Sequence, residues 1–270
     1  RQMCIRDSNN TQGGPSRTFK NNGISNADWY VVLGGDGHQP ATEPGNPDII
    51  YAQSQEGFIH RIDMTNREVV NIRPQEDIDE PYERFNWDAP ILVSHHNPQK
   101  IYFGSQRVWV SENRGDSWNA ISGDLTKNEE RFSLPIMGGM QSFDNAWDVY
   151  AMSTYNTITS LSESALDKNI LYVGTDDGII QHTKDCGKNW TKLTVDKLPG
   201  TPKSACVNDI KADLNLIKVD SETIGEVHRG FKKEGDELWP TLQPTIKKYG
   251  AKQTYKVDIW FTGHSLGAAM

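Results

Sequence analysis

Near the C-terminal end of the 270-residue sequence stands Thr262-Gly263-His264-Ser265-Leu266-Gly267-Ala268-Ala269. Its G-x-S-x-G spacing is that of a sharp strand-to-helix turn that lifts a serine hydroxyl out of a sheet for nucleophilic attack. The glycines have a mechanical role, because a Cβ at Gly263 or Gly267 would crowd the neighbouring strand and helix. Ser265 is the candidate nucleophile. The backbone N–H of Leu266, at the start of the expected helix, is the candidate oxyanion donor. Such chemistry also needs a general base and an acid to orient it, and all seven histidines precede Ser265.

The elements needed to position the serine are expected on its N-terminal side. "KVDIWFTG" predicts an apolar strand over Val257–Thr262 that runs directly into the turn. Upstream, Phe231, Leu238, Leu242 and Ile246 fall near helical spacing within residues 226–250, and Gly250 closes the segment. Pro240 and Pro244 imply a kink or two shorter pieces.

Residues 9–214 have another texture. Three segments, 45–70, 96–121 and 167–193, share one plan: a polar turn, an apolar strand ending in Tyr51, Tyr102 or Tyr172, a short turn, a second strand and another turn. Two end in the related octets "SENRGDSW" (Ser111–Trp118) and "TKDCGKNW" (Thr183–Trp190), both Ser/Thr-x-Asp/Asn-x-Gly-x-x-Trp. Asn113 or Asp185 can bond the turn backbone, Gly115 or Gly187 supplies a positive φ, and the tryptophan packs beneath. In the first segment "HRIDMTNREV" lacks the glycine and tryptophan, so its turn is degenerate.

These octets resemble the Asp-box of BNR-repeat propellers. Residues 9–214 as a whole are similar to the sortilin-N-terminal (VPS10-type) proteins of that group. "VHRGF" (227–231) and "TGHSLGAA" together resemble the class 3 (fungal-type) triacylglycerol lipases of the α/β-hydrolase fold. The fold class expected is therefore mainly β: a partial Asp-box β-propeller followed by an incomplete α/β-hydrolase fragment over 215–270. The second resemblance implies acylglycerol ester hydrolysis through Ser265, no cofactor and no metal, and a lipid ester as substrate. His264 and His228 take no acid–base role in it. Because its acid and base follow the serine, the 270 residues are expected to be inactive alone. The first resemblance implies a non-catalytic module that binds a protein or glycan ligand, and an extracellular or secretory location.

Other features take structural readings. Asp176-Asp177-Gly178 is expected as a hairpin turn rather than a Ca²⁺ site, and His95-His96 as loop residues rather than metal ligands. Trp29, Trp87, Trp109, Trp118, Trp147 and Trp190 are expected mostly in the core. Cys186 and Cys206 are expected to be free thiols. "RQMCIRDS" (residues 1–8) looks like an artefactual leader and is set apart from the fold.

Net charge is −8, which argues against nucleic acid as the main partner. No apolar run is long enough to cross a membrane as a helix. Residues 215–270 carry 8 basic and 7 acidic residues, leaving 20 basic and 29 acidic, a net of −9, for 1–214. The charge shift, with no Gly-, Ser- or Pro-rich linker near 213–215, leads to the expectation of a composite joining parts of two proteins there, either an assembly chimera or a truncated gene product, with a natural fusion of two complete domains as the rival.

Overall fold

The computed structural model describes residues 2–7, 10–135, 139–150, 154–195, 200–212 and 257–258. They are mainly β. Three four-stranded antiparallel sheets follow one another along the chain, each laid down in simple sequential order. The first holds β4 (His38–Glu43), β5 (Asn46–Gln53), β6 (Ile59–Asp63) and β7 (Glu68–Asn71). The second holds β8 (Ile91–Val93), β9 (Ile101–Gly104), β10 (Val108–Ser111) and β11 (Asn119–Ala120). The third holds β12 (Ile158–Glu163), β13 (Leu171–Thr175), β14 (Ile179–Thr183) and β15 (Thr191–Thr194).

Register repeats from sheet to sheet. Tyr51 faces Ala41 and Arg61, Tyr102 faces Leu92 and Val110, and Tyr172 faces Ser162 and His182. Each tyrosine thus sits within the second strand rather than ending it. The sequence segments took in strands two to four but missed the first strand of every sheet.

The inner strands are buried on both faces: all four residues of β9 and of β10, and all five of β13, are buried. The period-two pattern therefore sorts side chains between two cores rather than between core and water. Tyr51, Ile59, Phe103 and Trp109 share a cluster between the first and second sheets. Tyr102, Val108, Ile158 and Leu171 share the next, between the second and third. β4 lies against β8, and β8 and β9 against β12, so the first strands of successive sheets adjoin. Complete burial of each large apolar side chain contributes about 1.5–3 kcal/mol.

At the N-terminal side β1 (Gln2–Asp7), β2 (Asn10–Pro15) and β3 (Tyr30–Leu33) form a three-stranded sheet whose Tyr30, Val32 and Leu33 pack with Ile50, Ala52 and Ile62. Residues 2–7, set apart from the fold on sequence grounds, pair with β2 along their whole length. Beyond the third sheet, Val207 and Ile210 complete a cluster with Ile170, Tyr172, Ile180 and Val195. There β16 (Lys211–Ala212) pairs with β17 (Val257–Asp258). The described helices are short: α1 (Ala146–Tyr150) and two 3₁₀ turns, Asn26–Asp28 and Arg131–Ser133.

Four of the six tryptophans are buried or partly buried as expected. Trp87 and Trp147 are not; they stand 37% and 76% exposed, both on connectors between sheets. Cys186 and Cys206 are free thiols. Among the described residues no helix is long and apolar enough to cross a membrane.

Candidate functional site

In a four-stranded meander the turns between strands one and two, and between three and four, lie at one end. The turn between two and three, and the connector to the next sheet, lie at the other. The two ends are built differently.

The first end carries the two octets, which close the turns β10–β11 and β14–β15. Ser111 Oγ accepts from Gly115 N–H at 2.8 Å and donates to Asn113 Oδ1 at 2.9 Å, and Asn113 Oδ1 accepts from Ser117 N–H at 3.0 Å. Thr183, Gly187, Asp185 and Asn189 repeat these contacts at 3.0, 2.7 and 2.9 Å. Gly115 and Gly187 both have φ of +90°. With the Asn189 side chain, then its N–H and the Thr183 hydroxyl all donating to it, the Asp185 carboxyl is held down at about 2. Three turn donors bond it, as expected of a turn residue. In the first sheet the β6–β7 turn is bonded differently, Asp63 accepting from Thr65 N–H and Oγ1 at 2.8 and 2.6 Å without a following tryptophan.

Each octet also grips the preceding sheet. Trp118 Nε1 donates to Ile72 O at 2.7 Å, and a Cβ on Gly115 would lie 2.6 Å from Ile72 Cδ1. Trp190 Nε1 donates to Gly187 O at 3.0 Å and Ile121 O at 3.4 Å, and a Cβ on Gly187 would lie 2.6 Å from that same Ile121 oxygen. Ile72 and Ile121 are equivalent positions, each directly after the fourth strand of its sheet. Two glutamates strengthen this end. Glu43 holds Arg114 through two bonds of 2.7 and 2.8 Å. Buried Glu163 accepts from Ser94 Oγ and His95 N–H, each at 2.7 Å, and from Tyr102 OH at 3.1 Å. His95 and His96 thus serve a turn, the His96 imidazole donating to Ser164 O at 2.8 Å.

At the second end, non-repeating connectors meet around buried carboxylates. Glu83, fully inaccessible, accepts from Arg107 Nε at 2.6 Å, Trp109 Nε1 at 3.0 Å, Gln106 Nε2 at 3.3 Å and the Ser105 hydroxyl. Arg107 reaches on to Glu80 and lies over the Trp109 ring at 4.5 Å. Arg84 ties the connector 72–90 to Asn156 O and Asp124. Asp176 and Asp177 occupy the β13–β14 turn, which Gly178 closes at φ +87°, as the sequence predicts. Asp176 accepts from Thr157 N–H at 2.9 Å, Thr157 Oγ1 at 2.7 Å and Asn86 Nδ2 at 3.4 Å. Asp177 accepts from Lys127 N–H at 2.7 Å. Burial pushes the Asp176 carboxyl up to about 6, against the pull of the Thr157 donors.

Sequence reasoning overlooked Glu83 and Glu163. The available signal for the first was an acidic residue inside "YERFNWDAPI", a stretch whose neighbours Phe85 and Ala89 are core residues. Among the described residues no group of three or more His, Cys, Asp or Glu is placed to hold a metal ion. Exposed Trp87 and Tyr82 flank the polar cluster of Arg84, Asn86 and Asp176.

Ser265 and Leu266, like His264 and His228, lie outside the described residues, as does the helix expected over 226–250. Of the strand expected at 257–262 only Val257–Asp258 is described, as a strand.

Residues 200–270 match the family model described as Lipase (class 3). The match starts before residue 215, and residues 205–212 within it pack on the third sheet: Thr159 Oγ1 and Ser160 Oγ donate to Val207 O at 2.9 and 2.8 Å. No curated protein matches the sequence. Solved structures similar to the chain include an ancestral GH74 enzyme, 13% identical with a TM-score of 0.41 over 67% of this chain and 20% of that one. Another is the extracellular domain of a protein described as a one-component system of B. thetaiotaomicron, 12% identical with a TM-score of 0.48 over 79% and 24%. A third, described as a hybrid two-component system of the same organism, is 12% identical with a TM-score of 0.45 over 79% and 22%. The chain spans about a fifth to a quarter of the length of these solved chains.

Proposed function

We propose that the lipase-matching region is the catalytic part of a serine ester hydrolase acting on acylglycerol-like lipids. Ser265 is its nucleophile and the Leu266 N–H one oxyanion donor. The observation that carries this reading is the family match over 200–270 on a segment that contains Gly263-His264-Ser265-Leu266-Gly267. Ser265 attacks the ester carbonyl, its proton passing to a base, and the alcohol leaves from the tetrahedral intermediate to give an acyl-serine that water then hydrolyses. The reading needs a histidine and an acid downstream of Ser265, and the 270 residues hold no histidine there.

The test compares p-nitrophenyl ester hydrolysis by the 270-residue chain and by the uninterrupted genomic reading frame, each with and without Ser265→Ala. Serine-dependent turnover is expected in the longer frame and none in the 270 residues. Turnover in the longer frame that survives Ser265→Ala would sink the reading. Long-read sequencing across codons 200–230 tests the accompanying inference that the chain joins parts of two proteins. A single frame completing both parts would overturn it.

A second reading concerns residues 10–212 as part of a propeller-like module that binds a protein or glycan. Supporting it are three consecutive meanders with adjoining first strands and two octets at equivalent turns. The exposed Trp87 and Tyr82 beside Arg84 and Asn86 suit a polyhydroxylated ligand. Glycan-array binding lost in Trp87→Ala supports this module, and an array with no binding counts against a glycan.

A further inference from the structure

Asp176 is the point where three separate pieces of chain meet. It belongs to the β13–β14 turn; Thr157 ends the connector 121–157 and leads into β12; Asn86 lies on the connector 72–90 beside exposed Trp87. One carboxylate oxygen, Oδ1, takes the Thr157 N–H at 2.9 Å. The other, Oδ2, takes the Thr157 hydroxyl at 2.7 Å and the Asn86 amide at 3.4 Å. Asn86 Nδ2 has a second bond, to Thr157 Oγ1 at 2.8 Å.

We propose that Asp176 is a proton-responsive tie: taking up a proton on Oδ2 releases the Asn86 amide from the β13–β14 turn and leaves it held by Thr157 Oγ1 alone, which loosens the connector 72–90 that carries Trp87, while Thr157 stays bound. The inference is independent of any role for Ser265.

The asymmetry follows from counting donors and lone pairs. As a carboxylate, Asp176 only accepts, and all three donors can face it. As an acid, its Oδ2–H points at Thr157 Oγ1, the nearest acceptor, and the hydroxyl turns its own hydrogen away. The Asn86 N–H then confronts an oxygen that is itself donating, and this contact, already the longest of the three, is lost. Thr157 N–H on Oδ1 is untouched.

Burial and the neighbouring charges together hold the carboxyl above its ordinary range. Burial, with the like charge of Asp177 beside it, pushes Asp176 up to about 6. Arg131 faces it from the connector 121–157 but is itself partly buried, with its own charged form disfavoured. Tyr155 and Cys206 lie within its field as neutral groups, both pushed up by burial and by the two aspartates. From the connector 72–90 the charge nearest Asn86 in sequence is Arg84, bonded to Asp124 and Asn156 instead.

The experiment is hydrogen exchange read by mass spectrometry on the whole 270-residue chain between pH 5 and 7.5. Exchange of peptides covering 82–90 is expressed relative to Asp176→Asn at each pH to remove the intrinsic pH dependence. Asparagine mimics the protonated acid. Wild-type protein is expected to be about three-fold better protected than Asp176→Asn at pH 7.5, and equal to it at pH 5, with a midpoint near 6. Peptides covering 157–163 should show no such transition. Asn86→Ala, which leaves Asp176 in place, should abolish the transition at 82–90. A flat ratio, a transition that survives in Asn86→Ala, or one centred on 157–163 overturns the proposal.

Discussion

The two ends of the sheets solve the same problem, joining one sheet to the next, with opposite electrostatics. At the octet end the turn carboxyl of Asp185 is surrounded by donors and held down at about 2. At the connector end Asp176 is withdrawn from water and has fewer donors than its burial requires, so its carboxyl is pushed up to about 6. The first arrangement is local and recurs in two sheets, with Asn113 in one and Asp185 in the other. The second is costly and lies where loops of unequal length converge. Repetition follows local turn chemistry, and individuality follows desolvation.

The largest expected effect lies at the connector end. Glu83→Ala strands Arg107 and the Trp109 indole around an empty acceptor and should cost about 3–5 kcal/mol, measured by chemical denaturation. A loss below about 1 kcal/mol would show that water replaces the carboxylate freely and that the contrast between the ends is false.

At the octet end Gly115→Ala should cost about 2–3 kcal/mol. It imposes a Cβ at φ +90° and presses it against Ile72. If Gly115→Ala is tolerated while Gly187→Ala is not, the two octets are not equivalent clasps.

Next in size is Asp176→Asn, which should raise stability at pH 7.5 by about 1–2 kcal/mol. The sign is set by linkage: a carboxyl raised from 3.8 to about 6 makes the folded state bind the extra proton, so its stabilising effect is fullest below pH 3.8 and fades as pH rises through 6. Asp185, lowered from 3.8 to about 2, works in reverse, its contribution present above pH 3.8 and lost as pH falls toward 2. Asp185→Asn should therefore flatten the acid side of the stability profile, and Asp176→Asn the side between pH 4 and 6. If both act on the same limb, the opposition between the ends fails.

The smallest effects separate the two clasps. Trp118→Phe should cost about 0.5–1.5 kcal/mol, because the 2.7 Å bond to Ile72 O is its indole's grip on the sheet before. Trp190→Phe should cost less between sheets, since its indole bonds its own turn at 3.0 Å and Ile121 only at 3.4 Å. Thermal melts of the pair give the order directly.

Sequence made the octet end legible because its bonds are local: Ser111 to Gly115, Thr183 to Gly187, Asp185 to Asn189. The tyrosine strands were visible for the same reason. What escaped was non-local. The first strands β4, β8 and β12 carry weak periodicity, since β8 has only three residues and β4 and β12 contain register shifts. Glu83 and Arg107 are 24 positions apart, and nothing in their neighbourhoods announces the pair. Trp87 and Trp147 were expected inside because tryptophan usually is; each instead rides on a connector, where no sheet covers it. For the candidate nucleophile, the motif and the family match speak together, and Ser265 and Leu266 lie outside the described residues.

The grip of each octet on the residue just after the preceding sheet's last strand has one more consequence. It gives the array a polarity: in the second sheet the hook, Trp118, stands directly before the fourth strand and the eye, Ile121, directly after it. The hook and eye make a join separate from those the intervening chain makes. The segments 72–90 and 121–157 differ greatly in length, yet Trp118 and Trp190 both aim the indole N–H at the carbonyl of the equivalent residue, Ile72 at 2.7 Å and Ile121 at 3.4 Å. Connectors can therefore lengthen, shorten or acquire new surface groups while the seam between sheets stays where it is.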